Sequence, residues 1–110
     1  MQITFDVEGS APSPYRVTFE NRVGGNLAAF CTCPAGQNGL YCKHRFSIMG
    51  GDTAGIGSGN EPEVRLVAEW LKGSDVERSL EALHEAERHL DAAKRAVARA
   101  KQAVAQSLRG

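Results

Sequence analysis

Cys31-Thr32-Cys33-Pro34-Ala35-Gly36-Gln37-Asn38-Gly39-Leu40-Tyr41-Cys42-Lys43-His44 contains every cysteine of the chain and ends on one of its three histidines. In an extended segment, side chains at i and i+2 point the same way, so Cys31 and Cys33 present two sulfurs from one strand end. Cys42 and His44 repeat the spacing, which suits a bend entering a helix, because i and i+2 diverge within a helix. Pro34, Gly36 and Gly39 let the chain reverse between the pairs. Three sulfurs and one imidazole make a closed tetrahedral shell of the structural zinc kind, with no position left for water. Soft sulfur ligands select zinc or copper(I) over calcium or magnesium, and iron–sulfur clusters ordinarily take four cysteines. One structural Zn2+ held by Cys31, Cys33, Cys42 and His44 is therefore expected. Three thiolates and one dication leave a charge of about −1, which Lys43 and Arg45 flank and offset.

Two other readings of these residues are weaker. Unligated buried cysteines would not explain four ligand-type residues in two i,i+2 pairs. A catalytic Cys42–His44 pair would lack an acidic or amide group to orient the histidine, and would leave Cys31 and Cys33 without a role.

On the N-terminal side of this stretch the chain reads as strands. Ile3, Phe5 and Val7 alternate with polar neighbours, as do Tyr15, Val17 and Phe19, with the period of half-buried strands. A loop at 9–14 separates them, Asn21 to Asn26 carries hairpin turn chemistry, and a third strand is expected from Leu27 to Cys33. A β-meander of two or three strands is marginal alone, and a module of about fifty residues sits near the size at which a core stops sufficing without metal. Zinc supplies the missing stability.

The motif CxC, an eight-residue spacer, and then CxH resembles the SWIM zinc finger. Pro34 after the second cysteine, the strands before the motif, and Phe46 and Ile48 after it fit as well. The resemblance covers roughly residues 14–50. It implies a β-hairpin leading into the CxC and a short helix starting at the CxH. It further implies a DNA-binding or protein-interaction module with no catalytic residues.

On the C-terminal side, residues 51–60 form a glycine-rich linker. They lack the Gly-Lys-Ser/Thr ending of a phosphate-binding loop, and no clear strand feeds them. Residues 61–110 read as helical. Asn60 and Glu63 form a capping pair with Pro62 in the first turn, and Val64, Val67, Ala68 and Leu71 share a face beside Trp70. Gly73 stops that helix, Ser74 with Glu77 caps the next, and nothing breaks it from Asp75 to about Leu108. Val76, Leu83, Leu90, Val97 and Val104 recur every seven residues, each followed at +3 by serine or alanine, a seam of large and small residues. Acids crowd the first half of this helix and bases the second, an order that complements its dipole and favours antiparallel pairing with a second copy. His84 and His89, five apart, read as solvated side chains.

The expected fold is α+β: residues 1–50 a zinc-binding meander with a short helix, 51–60 a linker, and 61–110 a helical hairpin with a long coiled-coil-like helix. The 42% of hydrophobic residues includes many late alanines, so no large single core is available. No apolar run is long enough to span a membrane, no secretory signal opens the chain, and three cysteines without a signal read as reduced thiols of an intracellular protein, cytoplasmic or at the nucleoid or nucleus. A nucleic-acid-binding accessory role would use Arg16, Arg22, Lys43 and Arg45, together with the basic end of the last helix, on phosphates, with Tyr15 and Tyr41 stacking on bases. The alternative is a protein-interaction adaptor whose helical arm dimerises or recruits a partner. A full coordination shell disfavours an enzyme. Zero net charge and the long helical arm favour the adaptor, whereas the family resemblance favours nucleic acid.

Overall fold

The computed structural model describes residues 1–110. The chain divides into two compact units, Met1–Glu77 and Arg78–Gly110, and its architecture is α+β.

The first unit opens with three antiparallel strands in the order β1-β2-β3: β1 Gln2–Val7, β2 Tyr15–Asn21 and β3 Leu27–Cys31. The alternation read from the sequence becomes the sheet's two faces. Ile3 stands opposite Phe19, Phe5 opposite Val17, and Val17 opposite Cys31, and all five are buried. Phe5 and Phe19 meet edge to face at 6.0 Å, an arrangement that aligns a positive ring edge with a negative ring face. The β2–β3 hairpin closes through Arg22 N–H to the Asn26 carbonyl at 2.8 Å. Gly24 and Gly25 supply its positive φ angles of 88° and 78°, which side chains disfavour.

The third strand ends at Cys31, two residues earlier than expected. Pro34 has no N–H to extend a ladder, and Cys33 instead becomes the N-cap of a four-residue helix, α1 Pro34–Gln37. Cys42 is the N-cap of α2, Lys43–Met49. This helix lies against β3 and against α3, Val64–Leu71. Ile48 and Met49 of α2 and Val64 and Val67 of α3 complete the buried core.

Residues 51–60 connect α2 to a single 3-10 turn at Glu61–Glu63, but they do more than connect. β1 is an edge strand, with backbone groups that need partners, and this segment provides them. Glu8 N–H donates to Gly55 at 2.9 Å and Gly57 N–H to Asp6 at 2.8 Å. Val7 and Ile56 form a bridge, and Ser58 Oγ accepts from Asp6 N–H. Asn60 does not cap the turn through its side chain; its Nδ2 donates to the Thr4 carbonyl and to Glu63. The compact unit therefore runs through α3, past the boundary expected near residue 50.

α4 spans Asp75–Leu108, 34 residues and about 50 Å at the α-helical rise. Ser74 starts it: its Oγ accepts Glu77 N–H at 3.1 Å while Glu77 Oε1 accepts Gly73 N–H at 3.0 Å. That is the expected reciprocal cap, with its return bond one residue upstream. Val76 is half-buried within the first unit, whereas Leu83, Leu90, Val97 and Val104 are all exposed. No helix is long and apolar enough to cross a membrane.

Candidate metal centre

Three separate local structures deliver the ligands. Cys31 ends β3, Cys33 follows at the head of α1, and Cys42 with His44 opens α2. Cys42 is extended, at φ −127° and ψ 116°, immediately before the helix begins. This is the bend that an i,i+2 pair requires in order to converge.

The four donor atoms lie within 4.8 Å of one another. Cys33 and Cys42 sulfurs are 3.4 Å apart, and His44 Nδ1 stands 3.6 Å from Cys42 Sγ and 3.9 Å from Cys31 Sγ. Bond lengths of about 2.3 Å to sulfur and about 2.0–2.1 Å to nitrogen place tetrahedral ligands roughly 3.6–3.8 Å apart. The donor set thus fits one Zn2+ in both chemistry and spacing, with Nδ1 as the imidazole ligand. All three cysteines are free and buried, and His44 is half-buried under the Tyr15 ring, whose centroid is 5.0 Å away.

Backbone N–H groups surround the sulfurs. Gly36 N–H donates to Cys33 Sγ at 3.3 Å and Cys33 N–H to Cys31 Sγ at 3.5 Å. Burial pushes the Cys31 thiol up to about 12, with the Cys33 N–H working against it and the neighbouring Cys33 and Cys42 adding to it. Burial acts in the same sense on Cys42, but there the Arg45 N–H, joined by Cys33, His44 and Cys31, brings the thiol down to about 6. One thiolate is thereby favoured at neutral pH and a second opposed, the pattern of like charges crowded into one site. A dication removes the conflict.

The cations expected to offset the cluster charge behave differently. The Arg45 guanidinium donates to two carbonyls, Ala29 at 3.1 Å and Leu40 at 2.6 Å, so it ties β3 to the loop between the ligand pairs. Its contribution at the sulfurs comes through its backbone N–H. Sequence reasoning missed this role, since nothing in a sequence marks which carbonyls an arginine will reach. Lys43 is exposed. Arg16 approaches Asp6 at 3.7 Å, and Arg22 pairs with Glu20 at 3.0 Å beside the Phe30 ring. Of the aromatics expected to stack on bases, Tyr15 lies against His44, and Tyr41 stacks on Phe46 at 4.2 Å and 7° while staying largely exposed.

Next to the metal loop lies an open groove of about 410 Å³ lined by Leu27, Leu40, Tyr41, Phe46, Met49 and Val76 among others. Leu40 and Tyr41 on its rim are 61% and 63% exposed, and Phe30 is 51% exposed. His84 and His89 take no part in the metal centre; His89 pairs with Glu85 on the surface of α4.

Residues 15–46 match the SWIM zinc finger family, and all four ligands fall within that span. No curated protein and no solved structure matches the chain.

Proposed function

We propose that this chain, which carries a SWIM zinc finger over residues 15–46, is a non-catalytic binding module whose ligand is another protein. Zinc is its structural cofactor. Four protein donors fill a tetrahedral shell, and a catalytic zinc needs an open position for water or substrate.

The choice of protein over nucleic acid rests on how the cations of the module are used. Arg45 donates to two carbonyls, Arg22 pairs with Glu20 on the surface, and Arg16 lies 3.7 Å from Asp6 with most of its side chain exposed. Only Lys43 among the four is exposed without such a partner. Phosphate recognition requires several cations free to displace counterions, and the chain as a whole is neutral. The surface that the zinc loop does display, at Leu40 and Tyr41, is apolar and aromatic, the composition of protein interface cores. The reading places the chain in a reducing, intracellular compartment, where thiolates persist as ligands.

Fluorescence polarisation with DNA and RNA oligonucleotides at low and moderate salt, paired with a photo-crosslinking residue at position 41 in cells, tests this. We expect no salt-steep nucleic-acid binding, and a discrete protein adduct that Leu40→Asp abolishes. A nucleic-acid complex that weakens steeply with salt and disappears with Lys43→Glu would replace the protein reading.

A further inference from the structure

We infer that α4 pairs with the α4 of a second copy of this chain, antiparallel and in full overlap, with Leu90 of each helix seated on Ala93 of the other. The inference is independent of the ligand of the zinc module. The helix carries a side-chain stripe that has no partner within the chain. Leu83, Leu90, Val97 and Val104 are 37%, 54%, 53% and 61% exposed, and they recur every seven residues along an unbroken helix. A sustained seven-residue apolar repeat is the pattern of a helix that supercoils with another.

The residues three positions after each of these are small, Ala86, Ala93, Ala100 and Ser107. Turning one helix end for end over the whole of α4 sets large on small in every layer. Leu90 meets the partner's Ala93, Leu83 meets the partner's Ala100, and Val97 meets the partner's Ala86. Small residues at the seam let the two backbones approach closely, and no layer sets two large side chains against each other. The parallel arrangement would stack leucine on leucine and alanine on alanine, leaving wide layers beside narrow ones.

Charge selects the same orientation. From Asp75 to Asp91 the helix carries six acids against Arg78 and Arg88, and from Ala92 to Leu108 it carries four bases and no acid, with Arg109 just beyond. Parallel copies would align acid with acid and base with base, whereas antiparallel copies align each half with its complement. The rows flanking the seam make this specific. Glu87 and the partner's Lys94 face one another across the pair, and Lys94 and the partner's Glu87 do so by symmetry. Neither Glu87 nor Lys94 forms an ion pair within its own chain, although Glu85 binds both Arg88 and His89. The opposite flank is alanine at 82, 96 and 103, with His89, turned to Glu85, as its one large side chain.

Sedimentation equilibrium of the full zinc-loaded chain tests the pairing, and charge reversal tests its register. The wild-type chain is expected to be a dimer at high micromolar concentration. Glu87→Lys alone and Lys94→Glu alone each turn two attractive pairs into repulsive ones and should weaken the dimer by roughly tenfold. The double variant carrying both reversals should recover wild-type association, and so should an equimolar mixture of the two single variants. This recovery also shows that each single variant is folded. A monomer, or an assembly larger than a dimer, would overturn the inference. So would a dimer that ignores the single reversals, since its contact would then lie elsewhere or in another register.

Discussion

Gly36 is the residue on which the closeness of the two halves of the metal loop depends. A methyl group there would lie 2.5 Å from the Cys31 carbonyl oxygen and 2.8 Å from the Cys31 Cβ, and neither atom moves without shifting a zinc ligand. Gly36→Ala is expected to destabilise the first unit by about 1–3 kcal/mol, the range for overpacking a filled site, and to speed zinc loss to a chelator. An unchanged urea midpoint with unchanged metal retention would show that the loop has slack. The sulfurs themselves impose a pH dependence. Zinc requires all three as thiolates, and burial holds a proton on Cys31, pushed up to about 12, while Cys42 is drawn down to about 6. Binding therefore expels protons, so apparent zinc affinity rises with pH and falls on acidification. The sign is read by competition against a chromophoric chelator in mildly acidic and mildly alkaline buffer. An affinity indifferent to pH would mean that the thiols are not the ligands.

At the scale of elements, α2 does two things at once. Its N-terminus supplies Cys42 and His44, and its next turn sends Arg45 back to Ala29 on β3 and to Leu40 in the loop. Arg45→Ala removes the donor from both carbonyls and should cost about 1.5–3 kcal/mol in chemical denaturation, taking one charged hydrogen bond's worth because the site is only half-buried. Arg45→Lys should recover only part of this, because a single ammonium lacks the two-pronged reach of a guanidinium. Full recovery by lysine would mean that charge, and not the bridge between two carbonyls, is what matters. Ser74 is the corresponding device at the start of α4, 1% exposed and bonded to both Glu77 and Leu71. Ser74→Ala should cost about 1 kcal/mol as a lost cap, with Ser74→Asp retaining more of the stability than alanine does.

Across the whole molecule, every buried apolar side chain lies between Ile3 and Val67, within the first unit, and three of them are the zinc-ligand cysteines. A core of this size is marginal on its own, and structural zinc in small fingers supplies roughly 10–16 kcal/mol at neutral pH. Chelation should therefore open the whole first unit together, with amide exchange rising across the three strands and α3 alike. Protection that persists in Val64–Leu71 after the strands have opened would show α3 to be stable apart from the finger. The expected division at residue 50 came from composition, because glycine, serine and asparagine read as a linker. Hydrogen bonds of 55–58 along the open edge of β1 instead carry the unit on to Glu77.

Legibility in the sequence follows from how local each cause is. Strand alternation, the two i,i+2 ligand pairs, the Ser74 cap and the seven-residue repeat of α4 are all set by neighbours a few positions apart, and each was readable from residue types and spacing alone. The ligand chemistry was readable for a further reason: three cysteines and a histidine have few other uses when gathered in fourteen residues. Only the tertiary structure decided that Arg45 braces two carbonyls, that Ile56 covers an edge strand, and that Val76 is half-buried in the first unit while the later seam residues lie exposed. Backbone carbonyls and strand edges are alike along any chain. Which of them a distant side chain or segment reaches is settled by packing in three dimensions.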